Sequence, residues 1–202
     1  MKIAIKILFT ICLVLFGAMV AQAQTNQGTS LPLTERMELV YGVDFYGKTY
    51  DFIVNVTQIK EDGGITFKYR MGKNAYPATV SINGTSLKVA TGQSNRFNGR
   101  DFSLPFRTTV WISEKVFDAL TGAKASVVIS SDEGKPEITL KTTGTHSDYA
   151  LEDGSIKNIG YIQAETEDKK ISYRIHHNRN NRLILQMDIG WKIWLKSVKY
   201  PD

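Results

Sequence analysis

Two aspartates, Asp44 and Asp51, are the first residues of this sequence whose type and spacing could support catalysis. Apolar and polar residues alternate on both sides of Gly47-Lys48, which predicts an antiparallel hairpin with a two-residue turn at that dipeptide. In that register Asp44 lies opposite Asp51, at the roughly 5 Å that separates cross-strand neighbours. Retaining glycosidases hold a carboxylate pair at a similar separation. A hairpin tip is open to solvent rather than a cleft, so we predict no catalytic role for this pair.

The three histidines form no recognisable catalytic or metal-binding motif. His176 and His177 are adjacent, so in a strand their side chains would point to opposite faces. His146-Ser147-Asp148 contains the residue types of a hydrolase triad, but triads are assembled from distant segments. The sequence has no Gly-x-Ser-x-Gly, His-Glu-x-x-His, glycine-rich phosphate loop or calcium-loop pattern. We therefore predict no catalytic residue, no metal site, no cofactor and no enzymatic activity.

Aromatic residues give a clearer indication of binding. If the alternating neighbours of Trp194 face the core, Trp194 faces outward between Lys192 and Lys196. An outward tryptophan beside lysines can stack on a sugar ring or contact an anionic or amphiphilic partner. Tyr46 at the hairpin tip and Trp111 would join this surface if the fold brings them near. The alternative is that Trp194 is covered by another element or is a lone surface aromatic. The candidate ligand-binding residues are Trp194, Lys192, Lys196, Trp111 and Tyr46.

Alternating strands extend through most of the chain and would position these residues. We count about a dozen, spaced roughly 8–12 residues apart, as in an antiparallel sandwich or barrel. Asn83-Gly84 predicts a second two-residue hairpin turn, and residues 132–135 predict another turn between two strands. A change in the parity of the apolar residues predicts a bulge between Val56 and Ile59. The predicted fold is all-β and mainly antiparallel, a sandwich or a partly open β-barrel with one short α-helix.

The predicted helix begins after Ser113, a favourable N-cap, and ends at Gly122. Its apolar face would cover an open end of the sheet or, alternatively, act as a lid over a binding cavity. This face consists of Val116, Phe117 and Leu120. The irregular stretch 91–107 is predicted to be a long crossover whose phenylalanines plug the core, with a functional loop as the alternative.

The N-terminus has the features of a signal peptide. Lys2 and Lys6 precede an apolar run, and Ala21-Gln22-Ala23 provides the small residues that signal peptidase recognises. We predict a signal peptide at 1–23, a flexible segment at 24–35 and one β-rich domain at 36–202. Two lobes divided near 113–122 are the alternative for that domain. The mature protein would be periplasmic or extracellular, with no transmembrane segment.

Cysteine usage and charge narrow the functional class. Cys12 would leave with the signal peptide, so the mature chain has no thiol and no disulfide, which fits a bacterial envelope. The formal charge of +5 includes Lys2 and Lys6, and the remaining charges are interspersed. A nucleic-acid partner would need a clustered basic surface, so we predict none.

Three segments resemble parts of uncharacterised secreted β-rich proteins of Bacteroidetes-type bacteria. They are Thr109-Val-Trp-Ile-Ser113 followed by Val116-Phe117, Asn181-Arg-Leu-Ile-Leu185 followed by Met187-Asp-Ile-Gly-Trp191, and the hairpin from Tyr41 to Val54. The similarity would cover most of the mature chain. It implies an exported β-protein and carries no activity or site residue over to this chain.

These observations favour a secreted or periplasmic, non-enzymatic binding protein. Its partner would be an amphiphile or lipid held inside the curved sheet, or a glycan or protein bound on the surface. A hydrolase of envelope polymers, with carboxylates supplied by separate loops, is the alternative enzymatic function. A purely structural envelope component is the third possibility. An apolar cavity under the helix would favour the lipid carrier, and clustered inward-facing carboxylates would favour the hydrolase.

Overall fold

Thirteen strands form one mixed sheet that curls into a nearly closed barrel in the computed structural model, which describes residues 28–72, 75–132 and 134–201. The mostly-β fold predicted from the alternation is confirmed. The strands are β1 (Glu38–Phe45), β2 (Lys48–Ile59), β3 (Ile65–Met71), β4 (Ala78–Ile82), β5 (Gly92–Gln93), β6 (Phe102–Leu104), β7 (Arg107–Thr108), β8 (Ser126–Ser130), β9 (Glu137–Tyr149), β10 (Ile159–Glu165), β11 (Ser172–His176), β12 (Ile184–Asp188) and β13 (Lys192–Lys199). The predicted signal peptide 1–23 lies outside the described residues.

The barrel closes at a seam between its two edge strands. The strand order is β6-β4-β3-β2-β1-β13-β12-β11-β10-β9-β8-β5-β7, so β6 and β7 stand at opposite edges. They are nevertheless consecutive in the chain and joined by Pro105-Phe106. Most neighbours pair antiparallel, whereas the pairs β4–β6, β5–β7 and β5–β8 are parallel. Strands on both sides of the longer helix belong to this one sheet.

The first hairpin has a different register from the one predicted. Tyr41 pairs with Phe52 and Val43 with Tyr50, because the turn is formed by Tyr46-Gly47 and not by Gly47-Lys48. Tyr46 and Gly47 have φ of 50° and 80°, as both central residues of a type I′ turn require. The inward face is unchanged because the shift is an even number of residues. The β8–β9 hairpin and the bulge beyond Val56 are confirmed.

Asn83-Gly84 starts a helix, so the hairpin predicted there is wrong. The Asn83 side chain accepts a hydrogen bond from the backbone N–H of Ser86 at 2.7 Å and caps helix α1 (Gly84–Val89). An asparagine before a helix satisfies an otherwise free N–H, so this dipeptide suits a helix start as well as a hairpin turn. Tertiary contacts of Gly84 with Asp62 and of Ser86 with Leu104 favour the helix. Helix α2 (Glu114–Thr121) is the predicted one, with Ser113 as its N-cap and Gly122 as its C-cap.

The two ends of the barrel differ. At one end, which we call the helical end, α1 and α2 pack against each other. The loop between β11 and β12 lies there as well, since Arg179 pairs with Glu114 and Asp118 of α2, and Arg182 donates to the carbonyl of Leu87 in α1. The other end, the open end, carries the β1–β2 and β12–β13 turns and the loop 94–101.

A segment without regular secondary structure, 109–112, crosses the barrel interior, and we call it the interior segment. Its residues are all at most 5% exposed, although they belong to none of the named strands. The Val110 carbonyl accepts from the N–H of Ile184 at 2.9 Å, and the N–H of Ile112 donates to the carbonyl of Arg182 at 3.0 Å. Trp111 reaches the Phe67 ring on β3, 5.6 Å between centroids. The interior segment therefore reaches from β12 across to β3.

Candidate ligand-binding cavity

A cavity of about 380 Å³ lies between the interior segment and the open end of the barrel. We call it the open-end cavity. Side chains from β1, β2, β3, β12 and β13, together with residues of loop 94–101 and of the interior segment, form its lining. The lining residues are Tyr41, Val43, Phe45, Tyr50, Phe52, Met71, Asn95, Arg96, Phe97, Thr109, Val110, Asp132, Ile184, Met187, Trp191 and Ile193.

Aromatic rings make up much of the cavity wall. Phe52 and Phe97 are in direct contact, with ring centroids 4.5 Å apart, and Phe45 lies 6.2 Å from Trp191 at the mouth. Tyr41 turns its hydroxyl away to the carbonyl of Ile184, at 2.9 Å, and this leaves its ring as the surface available to the cavity. Burial raises the pKa of the Tyr41 phenol well above its ordinary value. The Tyr41 ring therefore presents an uncharged, apolar surface at neutral pH.

The floor of the cavity is formed by Thr109 and Val110 of the interior segment, beside Ile184 and Met187 of β12. The hydroxyl of Thr109 is buried and has no hydrogen-bond partner among the described residues. Burying a hydroxyl without a partner costs about 1–3 kcal/mol. A ligand group within hydrogen-bond distance of this hydroxyl would remove that cost.

The charged and amide side chains of the lining come from loop 94–101 and the β8–β9 turn. Asn95 donates its backbone N–H to Oδ1 of Asp132 at 3.2 Å and its side-chain amide to the carbonyl of Ser131 at 3.0 Å. These bonds tie loop 94–101 to the β8–β9 turn. Arg96 follows at the rim and also lines a second groove outside the cavity. The open-end cavity thus has an apolar interior with polar and charged groups at its entrance.

The cavity is not where the helix prediction placed it. Val116, Phe117 and Leu120 of α2 are buried in the core. The pocket that includes Val116 measures about 10 Å³, too little for anything larger than a water molecule. Helix α2 therefore does not act as a lid over a ligand cavity. The open-end cavity instead lies beside Thr109 and Val110 of the interior segment, and no residue of α2 lines it.

The structure brings Trp194 and Lys196 together, since both contact Glu152, but it places Trp111 elsewhere, in the barrel interior. Trp194 faces outward as predicted, but its ring lies over Gly42, where an added Cβ would be 2.4 Å from Cζ2 of the ring. Its indole N–H donates to Oε1 of Glu152. Trp111 lies in the barrel interior, 2% exposed, with its indole N–H on Asn181. A surface site cannot include this buried side chain.

The remaining predicted residues are engaged in ion pairs or isolated at the tip. Lys196 bonds Oδ1 of Asp51 at 3.0 Å, and this hydrogen bond raises the pKa of Lys196. Lys192 pairs with Asp188 at 3.5 Å. Tyr46 is 79% exposed at the hairpin tip, beside the cavity mouth but outside the lining. The surface around Trp194 is thus held together by contacts within the protein.

The acidic and histidine residues considered for catalysis are also dispersed. Asp44 lies opposite Thr49, and Asp51 lies opposite Gly42, so the predicted cross-strand pair does not form. His176 is buried beside Leu31 and Asn181, whereas His146 stacks on the Tyr161 ring at 5.2 Å. Within 28–72, 75–132 and 134–201, no group of three or more histidine, cysteine, aspartate or glutamate side chains could hold a metal ion.

Comparisons with protein-family models, with curated proteins and with solved structures found no match to this chain. In the part of the chain that the structure describes, no helix is both long and apolar enough to cross a bilayer. The site is therefore defined by its geometry alone.

None of the five predicted ligand-binding residues lines the cavity. The sequence predicts that the inward residues of the first hairpin and the phenylalanines of the irregular stretch belong to the core. Phe97 does contact Tyr69 in the core, 4.9 Å between ring centroids, and it also lines the cavity. The placement of Phe97 in a long irregular segment was the available signal.

Proposed function

We propose that this protein is a non-enzymatic binding protein that holds an apolar or amphiphilic small molecule in the open-end cavity. The observation that carries the proposal is the cavity itself, about 380 Å³ in volume, walled by aromatic rings and open at one end. Small-molecule sites in proteins span about 300–1,000 Å³ and are mostly apolar with a few polar groups. Most protein interiors have no void of this size, since they are close-packed.

The volume sets the size of the ligand. An apolar cavity of about 150 Å³ accommodates benzene. By proportion, 380 Å³ has room for on the order of ten to fifteen non-hydrogen atoms. A medium-length alkyl chain or a small ring system fits this volume, whereas a folded polymer chain does not.

The hydrolase alternative has less support. Such an enzyme would need two carboxylates facing the same cleft. Asp132 is the one acidic residue in the described lining of the cavity, and it accepts a hydrogen bond from the backbone of loop 94–101. Surface recognition through Trp194 is also less favoured, because the ring already packs over Gly42.

We further propose that the protein acts after export, in the periplasm or outside the cell. The predicted signal peptide supports this location. An apolar ligand is poorly soluble in water, so a carrier in an aqueous compartment would shield it from solvent.

The test is calorimetric titration with dodecanol, an uncharged probe whose chain matches the cavity volume. Val43→Trp would fill the cavity from β1, while Val40→Trp makes the same change on the outward face of the same strand. We expect wild type and V40W to bind one dodecanol with a negative heat-capacity change. V43W should remain folded and bind at least about tenfold more weakly, a loss of roughly 1.4 kcal/mol. Equal binding by V43W and V40W would contradict the proposed site.

A further inference from the structure

A groove of about 460 Å³ with three arginines lies at the barrel seam, next to the mouth of the open-end cavity. We call it the arginine groove, after Arg96, Arg100 and Arg107 in its lining. Arg96 lines both the groove and the open-end cavity. A molecule that leaves the apolar cavity on this side therefore meets a cationic surface.

The positive charge of the groove is only partly balanced within the protein. Asp101 is the one acidic residue in the described lining, and its Oδ1 accepts the backbone N–H of Thr79 at 2.6 Å. Arg107 donates Nη1–H to the carbonyl of Gln93 at 2.8 Å, which fixes its side chain but leaves its charge. None of the ion pairs within the described residues involves Arg100 or Arg107.

Arginine is well suited to bind anionic oxygens. Its planar guanidinium offers donors that match the geometry of carboxylate and phosphate groups, and it stays charged at any physiological pH. The open-end cavity, in contrast, has apolar walls, with Arg96 the one basic residue in its described lining, at the rim. The two adjoining sites thus have the separate chemistries of an alkyl chain and an anionic head group.

We propose that the ligand is a single-chain anionic amphiphile, with its alkyl chain in the open-end cavity and its carboxylate or phosphate head group in the arginine groove. This inference rests on the proposed function and specifies its ligand class. A cationic head group would be repelled by the three arginines, and an uncharged head group would gain no ion pair.

The test compares probes that share one chain and differ in the head group. Dodecanoate, dodecyl phosphate, dodecanol and dodecyltrimethylammonium are titrated separately into the full chain by calorimetry. The ionic probes are kept below their critical micelle concentrations and dodecanol below its solubility limit. We expect the two anions to bind at least about tenfold more tightly than dodecanol, since hydrogen bonds to charged groups are the stronger ones. The cation should bind more weakly than dodecanol. Raising the salt concentration should weaken the binding of the two anions and leave the binding of dodecanol unchanged.

Matched variants locate the head group. R96Q and R100Q should each lower the affinity for dodecanoate by about fivefold or more and change the affinity for dodecanol by less than about twofold. K48Q removes one positive charge from the same end of the barrel, outside both linings, and should bind dodecanoate like the wild type. Equal affinities for all four probes, or equal losses in K48Q and R100Q, would overturn the inference while leaving the cavity proposal standing.

Two other outcomes separate the remaining explanations. If no dodecyl probe binds, the proposed function itself fails. If inorganic phosphate binds as tightly as dodecyl phosphate and the V43W variant does not weaken either, the groove is a site for free anions. That result would also overturn the inference, because the alkyl chain would contribute nothing.

Discussion

Trp111 donates its indole N–H to Oδ1 of Asn181 at 2.9 Å, and this bond ties the interior segment to the β11–β12 loop. The side-chain amide of Asn181 also donates to the backbone carbonyl of Leu31 at 2.8 Å. The backbone carbonyl of Asn181 accepts from Nδ1 of His176 at 2.9 Å. Asn181 is 1% exposed, so these bonds are made away from solvent. The network fixes the interior segment, and the interior segment forms the cavity floor.

Replacing Asn181 should therefore destabilise the whole barrel. N181A leaves the indole N–H of Trp111 and the carbonyl of Leu31 buried without partners, and we expect a loss of about 3 kcal/mol. Urea unfolding followed by circular dichroism measures the difference. N180A, at the exposed neighbouring position, is the control and should change stability by less than about 0.5 kcal/mol. Similar effects of the two variants would contradict the role assigned to the network.

Acid should weaken the same network through His176. Nε2 accepts the N–H of Leu31 at 3.3 Å, so Nδ1 carries the proton and donates to Asn181. Burial lowers the pKa of His176, and the unfolded chain therefore takes up the proton first as the pH falls. The stability contributed by neutral His176 is complete above about pH 6.5 and declines below it, by up to about 1.4 kcal/mol per pH unit.

Denaturation between pH 7.5 and 5 tests this dependence. H176Q should lose the decline that begins near pH 6.5, although it is less stable at neutral pH. H146Q changes an exposed histidine and should keep the decline. If wild type and H176Q have parallel stability profiles, His176 is not the titrating group.

Gly42 and Trp194 should be energetically coupled. A Cβ at position 42 would lie 2.4 Å from the Trp194 ring. We therefore expect G42A to lower the free energy of unfolding by about 1–3 kcal/mol through overpacking. W194A removes the obstructing ring, and in that background G42A should cost less than about 0.5 kcal/mol. A double-mutant cycle in urea measures the coupling. Additive effects would mean that the ring does not pack over Gly42, and Trp194 would again be a candidate for surface recognition.

Much of the fold was predictable because its signals are local. Alternation predicted the inward residues of β1, and the Ser113 cap predicted the start of α2, since both depend on neighbours in sequence. The turn at Tyr46-Gly47 was missed because tyrosine rarely adopts the positive φ that it has there. Asn83-Gly84 is compatible with both a hairpin and a helix cap, and its tertiary surroundings select between them.

The cavity was not predictable from the same signals. Tyr41, Val43 and Phe52 have the pattern of core residues whether the space before them is filled or empty. Whether that space is empty depends on where the interior segment crosses the barrel. The crossing is set by one hydrogen bond between Ile184 and Val110 and one between Ile112 and Arg182, residues far apart in sequence. The arginine groove likewise depends on the parallel pairing of β5 with β7, which local alternation does not predict.

The predicted signal peptide implies a defined N-terminus for the mature protein. Cleavage after Ala23 would give a protein that begins at Gln24 and lacks Cys12. The intact mass of the protein recovered from the periplasm or culture medium measures this directly. A protein that keeps residues 1–23, or that stays in the cytoplasm, would contradict the predicted location.

Native mass spectrometry of the purified full chain tests the central claim most directly, because it counts ligands bound to each molecule. After incubation with equimolar dodecanoate, we predict one adduct on wild type and on V40W, and almost none on V43W. The adduct should persist on K48Q and diminish on R100Q. An unliganded wild type, or an equal adduct on V43W and V40W, would contradict the account of the open-end cavity as a ligand site.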